Sequence, residues 1–231
     1  SQTKAWYNIP MERLAIIFLI FMTYAFGGWA MEVIISLLQR RKLVNRGFLV
    51  GPICPIYGVG ALLLSLVVSS DESPLAIFCV AVVGSAVLEY SVSYIMEKLF
   101  RVRWWDYTDR PFNLNGRICA ESVLAFGVIG VLILKIINPA LLALYSSMPQ
   151  FLMLLLAAVL AIWLIFDVAL SLWLMLGVRV TVGTVQRDAT DEIAARVHEV
   201  LTDKGKLNRR LVKAFPNQTP TKKTPRKKSK Q

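Results

Sequence analysis

Apolar residues fill four long stretches of this chain. Residues 14–31, 47–70, 73–88 and 136–166 contain no Asp, Glu, Lys or Arg. A surface helix of a soluble protein carries a polar face along its length, and these runs lack one. About 18 or more such residues cross a bilayer core of about 30 Å as a helix. The third run gains length from the uncharged residues 90–96 beyond Glu89. The pattern predicts an all-α polytopic membrane helix bundle with about five transmembrane helices, near 13–38, 52–70, 74–98, 118–137 and 150–178. Asn138-Pro139 is expected to end or kink the fourth, because Pro removes a backbone donor. The next dozen residues are then expected at the outer interface.

The loops orient the bundle. Lys and Arg mark cytoplasmic loops. QRRKLVNRG between the first two spans has four basic residues and no acid. SSDES between the second and third has two acids and no base. Lys98, Arg101, Arg103, Arg110 and Arg117 fill the third loop, and the fourth has no charge. The alternation puts the N-terminus outside and the C-terminus inside. Residues 1–12 become an extracytoplasmic segment and 13–180 the transmembrane domain.

Charge then separates the tail from the bundle. The net charge is +11, yet eleven of the 26 Lys and Arg fall after Asp203 with no acid among them. The rest of the chain is therefore net neutral. Ile193, Val197, Val200 and Leu201 recur at helical spacing, which predicts a cytosolic amphipathic helix over 184–215. Residues 216–231 read as a disordered basic tail. Beside a membrane, such a tail meets anionic lipid headgroups rather than a specific nucleic acid. The oligomeric state stays open.

The scarce chemistry excludes several classes. His198 is the one histidine, and it lies outside the spans, so a His-based triad or zinc site is excluded. No GxxxxGKS or GxxxxGKT stretch is present, so the chain has no P-loop. The topology puts Cys79 far from Cys54 and Cys119, which lie near the reducing face, so no structural disulfide is expected. No cofactor is evident.

Acids inside the spans are the strongest functional signal. Glu32 lies about 12 Å from the cytosolic end of its helix, Glu89 about 13 Å, Glu121 about 6 Å and Asp167 about 18 Å, at 1.5 Å per residue. A carboxylate in the bilayer core costs about 2.5–3.5 kcal/mol, so it faces the bundle interior or water. Tyr24, Gly28, Glu32 and Ser36 form one i, i+4 stripe, and Glu89, Ser93 and Glu97 another beside Tyr90 and Tyr94. Asp167 and Ser171 form a third. These stripes predict a polar cavity open to the cytosol. Its carboxylates leave room for a divalent cation held by oxygen ligands.

Two segments border this cavity. NRGFLVGPICPIYGVG (45–60) has Gly47, Gly51 and Gly58 with Pro52 and Pro55, so its start is not regular helix. Irregular backbone at membrane depth is tolerated where it is buried in protein or lines a cavity. RVRWWDYTDRPFNLNGRICAES (101–122) carries Trp104 and Trp105, which suit an interface. Asn113, Asn115 and Gly116 predict a tight turn that aims Arg117 and Glu121 toward Glu32 and Glu89. Arg46, Arg103 and Arg117 are the candidate cationic partners of the acids.

GGWAMEV (27–33), NRGFLVGPICPIYGVGA (45–61), LEYSVSYIMEKLF (88–100) and WWDYTDRPFNLNGRICAES (104–122) together resemble the bacterial CmpB-type family. These are small polytopic membrane proteins described as ABC-transporter permeases. The resemblance covers roughly residues 14–175. It implies a permease-like role and a separate ATPase subunit. It points to Glu32, Asn45, Arg46, Gly47, Pro52, Tyr57, Gly58, Glu89, Tyr90, Trp105, Asp106, Tyr107, Asn113, Gly116, Arg117 and Glu121. Asn115 and Asp167 join the candidate site by position. Whether the chain is an enzyme stays uncertain from sequence. Two alternatives remain open: an enzyme acting on a lipid or isoprenoid-phosphate substrate, and a scaffold acting through its basic tail.

Overall fold

The computed structural model describes residues 11–40, 47–100 and 105–185. Asn45, Arg46, Arg103, Trp104, the first ten residues and everything beyond residue 185, with the expected tail, lie outside them. The described chain is helical, with one small hairpin. The helices are α1 (Met11–Arg40), α2 (Pro55–Val67), α3 (Pro74–Phe100), α4 (Ala120–Leu132), α5 (Asn138–Ser146) and α6 (Gln150–Val185). The hairpin pairs β1 (Asn113–Leu114) with β2 (Ile118–Cys119).

Four stretches are long and apolar enough to cross a membrane: Met11–Leu38, Pro74–Phe100, Ala120–Ser146 and Gln150–Trp173. Their outer faces carry large exposed apolar side chains, such as Ile162, Ile165 and Phe166. On a water-soluble protein so much exposed apolar surface would drive aggregation. Against lipid it is the expected coat.

The second span differs from its expected form. Its helix covers only Pro55–Val67, 13 residues, or about 20 Å at 1.5 Å per residue. Residues 48–54 run ahead of it outside any helix. Pro52 and Pro55 lack N–H donors, and Gly47 takes φ +130°, a conformation other residues rarely adopt. The helix therefore starts at Pro55, which needs no intrahelical partner at that position.

The fourth span also departs from expectation. Asn138-Pro139 does not end the helix: the apolar stretch Ala120–Ser146 runs on through it. One π turn, Ile133–Ile137, precedes it, and the Asn138 N–H bonds the Ile133 carbonyl. This wider turn absorbs the donor that Pro139 lacks and makes room for its ring. The helix then runs on through α5. Tyr24 donates to Asn138 Oδ1 at 2.6 Å, and Asn138 Nδ2 donates to Ser65 Oγ at 2.7 Å, so the turn is tied to α1 and α2.

Close packing of small residues sets the helix pairs. A Cβ on Gly28 would lie 2.2 Å from the Tyr57 ring, and one on Gly58 would lie 2.7 Å from the Phe21 carbonyl. Hence α1 and α2 touch nearly backbone to backbone. Gly127 similarly admits Phe78 and Val82 where α4 meets α3. Ala15, Leu19, Met153 and Ala157 form the α1–α6 core. Met22 and Ala25 bury Leu49 and Ile53 of the irregular segment, with Leu160, Leu164 and Val168 of α6 packed around them.

Candidate functional site

The irregular segment accounts for its backbone donors completely over residues 50–55. The Val50 N–H donates to Ser171 Oγ at 3.0 Å. The Gly51 N–H donates to both Asp167 oxygens, at 3.0 and 2.9 Å. Ile53 N–H reaches the Gly51 carbonyl, and Cys54 N–H reaches the Ala25 carbonyl of α1, both at 2.9 Å. Residues 52 and 55 are prolines. Unpaired backbone donors are costly at membrane depth; here two side chains of α6 supply the acceptors. A Cβ on Gly51 would lie 2.5 Å from Asp167 Oδ2, so only glycine admits the carboxylate. Asp167, expected to line the cavity, is instead buried against this backbone.

The fixed segment delivers Tyr57 to α1. Its hydroxyl donates to Glu32 Oε1 at 2.7 Å. Across from it, Glu89 of α3 is 7% exposed. The Tyr107 hydroxyl donates to the Glu89 carboxylate, and Ser122 Oγ of α4 lies 3.2 Å from Glu89 Oε2. Glu32 and Glu89 both act electrostatically on Tyr107. Glu32, Tyr57, Glu89 and Tyr107 thus form one polar cluster drawn from α1, α2, α3 and the loop before β1. Burial, and then the Glu89 and Glu32 charges, push the Tyr107 hydroxyl far above its ordinary pKa. It stays protonated and serves as a donor. Glu89 itself is buried among these side chains.

The loop folds back onto α3. Asn115 and Gly116 take φ +54° and +67°, and the Arg117 N–H closes the turn on the Leu114 carbonyl at 3.0 Å. Asn-Gly suits two consecutive positive φ values, the signature of a tight hairpin. Asn113 Nδ2 donates to the Thr108 and Arg110 carbonyls, and its Oδ1 accepts the Gly116 N–H. Asp106 accepts from the Thr108 N–H at 3.0 Å. Trp105 Nε1 donates to the Arg117 carbonyl at 2.8 Å, and Asn115 Nδ2 to the Tyr90 hydroxyl at 3.0 Å. The Tyr107 N–H bonds the Gly116 carbonyl at 2.8 Å, which sets the start of its side chain toward Glu89.

Arg117 and Glu121 do not converge on Glu32 and Glu89. Arg117 is buried and pairs with Glu97 at 2.8 Å. It also donates to Ser93 Oγ at 3.2 Å and lies over the Tyr90 and Tyr94 rings. Glu97, two helical turns past Glu89, meets the guanidinium first. Glu121 forms an exposed pair with Arg110 at 3.1 Å. Ser122, its neighbour in sequence, is the residue that reaches Glu89. Sequence reasoning missed Ser122, since which side of α4 faces inward depends on where the helix starts.

Among the described residues, no three His, Cys, Asp or Glu side chains are grouped closely enough to hold a metal ion. Cys54 and Cys119 are buried, and neither forms a disulfide among the described residues.

One comparison with known proteins gives a match. A family model described as "Putative ABC-transporter type IV" matches residues 19–172. That stretch contains the irregular segment, the polar cluster and the hairpin. No curated protein matches significantly, and neither does any solved structure.

Proposed function

Because the chain belongs to the CmpB-type family described as putative ABC-transporter type IV, we propose that it is the membrane-embedded, permease-like subunit of a transporter for a small solute or cation. A separate ATPase subunit supplies the energy. The chain lies in the bacterial cytoplasmic membrane, and its basic tail meets anionic headgroups of the inner leaflet.

One observation carries this reading. The second span is split into a non-helical segment and a short helix, and the split lies against the Glu32–Tyr57 contact. Discontinuous spans are where transporters build their solute and ion sites, because unwound backbone and a helix end face the site at mid-membrane depth. In this chain the break is pinned on one side by Asp167. On the other it is free to present Tyr57 to the acids. The loop carrying Tyr107 covers Glu89, so access requires that loop to lift.

Of the three arginines that the lipid-phosphate enzyme reading offers as a clamp, Arg117 is taken by Glu97, and Arg46 and Arg103 lie outside the described residues. Affinity capture of the full chain from membranes in mild detergent tests the transport reading. A P-loop ATPase is expected to copurify. Capture without any P-loop protein, from cells that grow and take up solutes normally when the chain is deleted, contradicts it.

A further inference from the structure

The hairpin loop lies beside α3 rather than beyond its end. Asn115 Nδ2 donates to the Tyr90 hydroxyl at 3.0 Å, and the Arg117 guanidinium meets Ser93 at 3.2 Å and Glu97 at 2.8 Å. Tyr90 precedes the end of α3 at Phe100 by ten residues, or about 15 Å. α3 has 27 residues, about 40 Å of helix against a hydrocarbon core of about 30 Å. It starts at Pro74, just after the exposed acids Asp71 and Glu72, which mark one membrane boundary. About 20 residues further on, near Tyr94, the helix reaches the other boundary. The hairpin is therefore level with that boundary, on the side that the Lys and Arg of this loop mark as cytosolic.

Two large apolar side chains project from the hairpin. Phe112 is 89% exposed and Leu114 56%. The stretch that holds them, PFNLNG (111–116), has no charge. Its charged neighbours Arg110 and Glu121 neutralise each other at 3.1 Å. A single exposed apolar residue needs no explanation, but the backbone adds a second observation. Phe112 takes φ +51°, a region that bulky side chains rarely enter. Asn113 holds the turn around it, donating to the Thr108 and Arg110 carbonyls and accepting the Gly116 N–H. A residue kept in a sparsely populated conformation points to a function for its placement. Here the result is a ring held outside the packing of its own loop.

The adjacent face of α3 says what covers this tip. Tyr94, Ile95 and Leu99 are exposed at the same level. A groove of about 260 Å³ opens there, lined by Tyr90, Ser91, Tyr94 and Ile95, and Asn115 ties the hairpin to its Tyr90 edge. Lys98 is exposed one turn beyond Tyr94, its Nζ 4.6 Å from the centre of that ring. Apolar groups at the boundary with a cation one turn into the headgroup zone match the layers of a phospholipid leaflet.

We propose that the hairpin is a lipid anchor: Phe112 and Leu114 enter the cytosolic leaflet where headgroups meet acyl chains, and the Lys98 ammonium meets headgroup phosphate. The anchor is independent of the transport reading. It fastens the loop over Glu89 from the lipid side, as Arg117 fastens it from the bundle side.

Tryptophan at position 112 tests the placement, and at 89% exposure the substitution disturbs no packing. The full chain with Phe112→Trp is reconstituted in vesicles of phosphatidylcholine and phosphatidylglycerol. The acyl chains carry bromine either near the headgroup or near the methyl end. The emission added over wild type is expected to be lost with the shallow bromine and kept with aqueous iodide. Phe166→Trp, in the exposed coat of α6, gives the lipid-facing reference. Added emission that iodide quenches and neither bromolipid quenches overturns the proposal. Photocrosslinking in native membranes, with p-benzoylphenylalanine at position 112 of the full chain, identifies the neighbour. Phospholipid adducts are the expected product. A principal crosslink to a second copy or to another protein overturns the proposal.

Discussion

Asp167 of α6 accepts the backbone N–H of Gly51 through both carboxylate oxygens, at 3.0 and 2.9 Å. This contact holds the irregular half of the second span inside the bundle. A charged acceptor makes such a bond worth about 1.5–3 kcal/mol. Asp167→Ala is expected to lower stability by that amount in thermal unfolding of the detergent-solubilised chain. Gly51→Ala is expected to do at least as much, because the new Cβ would lie 2.5 Å from the carboxylate. Wild-type melting of both variants would mean that the segment is held some other way.

Gly28 and Tyr57 make a second dependent pair, since a Cβ on Gly28 would lie 2.2 Å from the Tyr57 ring. Gly28→Ala is expected to destabilise by about 1–3 kcal/mol through overpacking. In a Tyr57→Ala background the same change is expected to be nearly neutral. A double-mutant cycle measures the coupling. Additive effects would separate the two residues and remove the reason for a glycine there.

Two ion pairs among the described residues of the loop should behave oppositely. Arg117 and Glu97 are 10% and 15% exposed at their side chains, whereas Arg110 and Glu121 are 53% and 71%. Breaking a buried pair by removing one partner costs about 3–5 kcal/mol, and an exposed pair contributes about 0–1 kcal/mol. Arg117→Ala is expected to open the 105–119 loop to protease, and Arg110→Ala to leave cleavage as in wild type. Equal cleavage rates in the two variants would count against the loop being fastened through Arg117.

Tyr107 predicts an alkaline effect. Its hydroxyl titrates far above the ordinary value of 10.0, chiefly through burial. A raised folded pKa means its contribution is fully present below pH 10 and lost as pH rises above it. There the unfolded chain releases the proton and the folded chain keeps it. Tyr107→Phe is expected to flatten the fall in stability above pH 10, seen in denaturation midpoints taken across alkaline pH. An unchanged slope would place the Tyr107 hydroxyl in water.

Much of this architecture is legible in the sequence, for physical reasons. Uncharged runs report lipid directly, because a charge in hydrocarbon is costly at any position. Gly47, Gly51, Pro52 and Pro55 mark the break in the second span, because each limits helix locally. The partner of the break is not legible: Asp167 is 116 residues from Gly51, and nothing in the α6 pattern says which backbone group it meets. The stripe of Glu89, Ser93 and Glu97 is readable from spacing, yet spacing does not say which acid takes Arg117. Pro139 misleads for a similar reason. Its helix-breaking tendency is local, and the π turn that offsets it draws on contacts with α1 and α2.

The most direct test of the central claim is nucleotide hydrolysis by the captured complex, reconstituted in vesicles. Glu32→Gln and Glu89→Gln each keep the size of the side chain and remove the carboxylate to which Tyr57 or Tyr107 donates. The account predicts that both variants still bring down the ATPase, with hydrolysis lowered about tenfold or more, equivalent to about 1.4 kcal/mol. Asp71→Asn, in the exposed turn between α2 and α3, should hydrolyse like wild type. Hydrolysis at the wild-type rate in both glutamine variants would contradict the assignment of the cluster as the functional site.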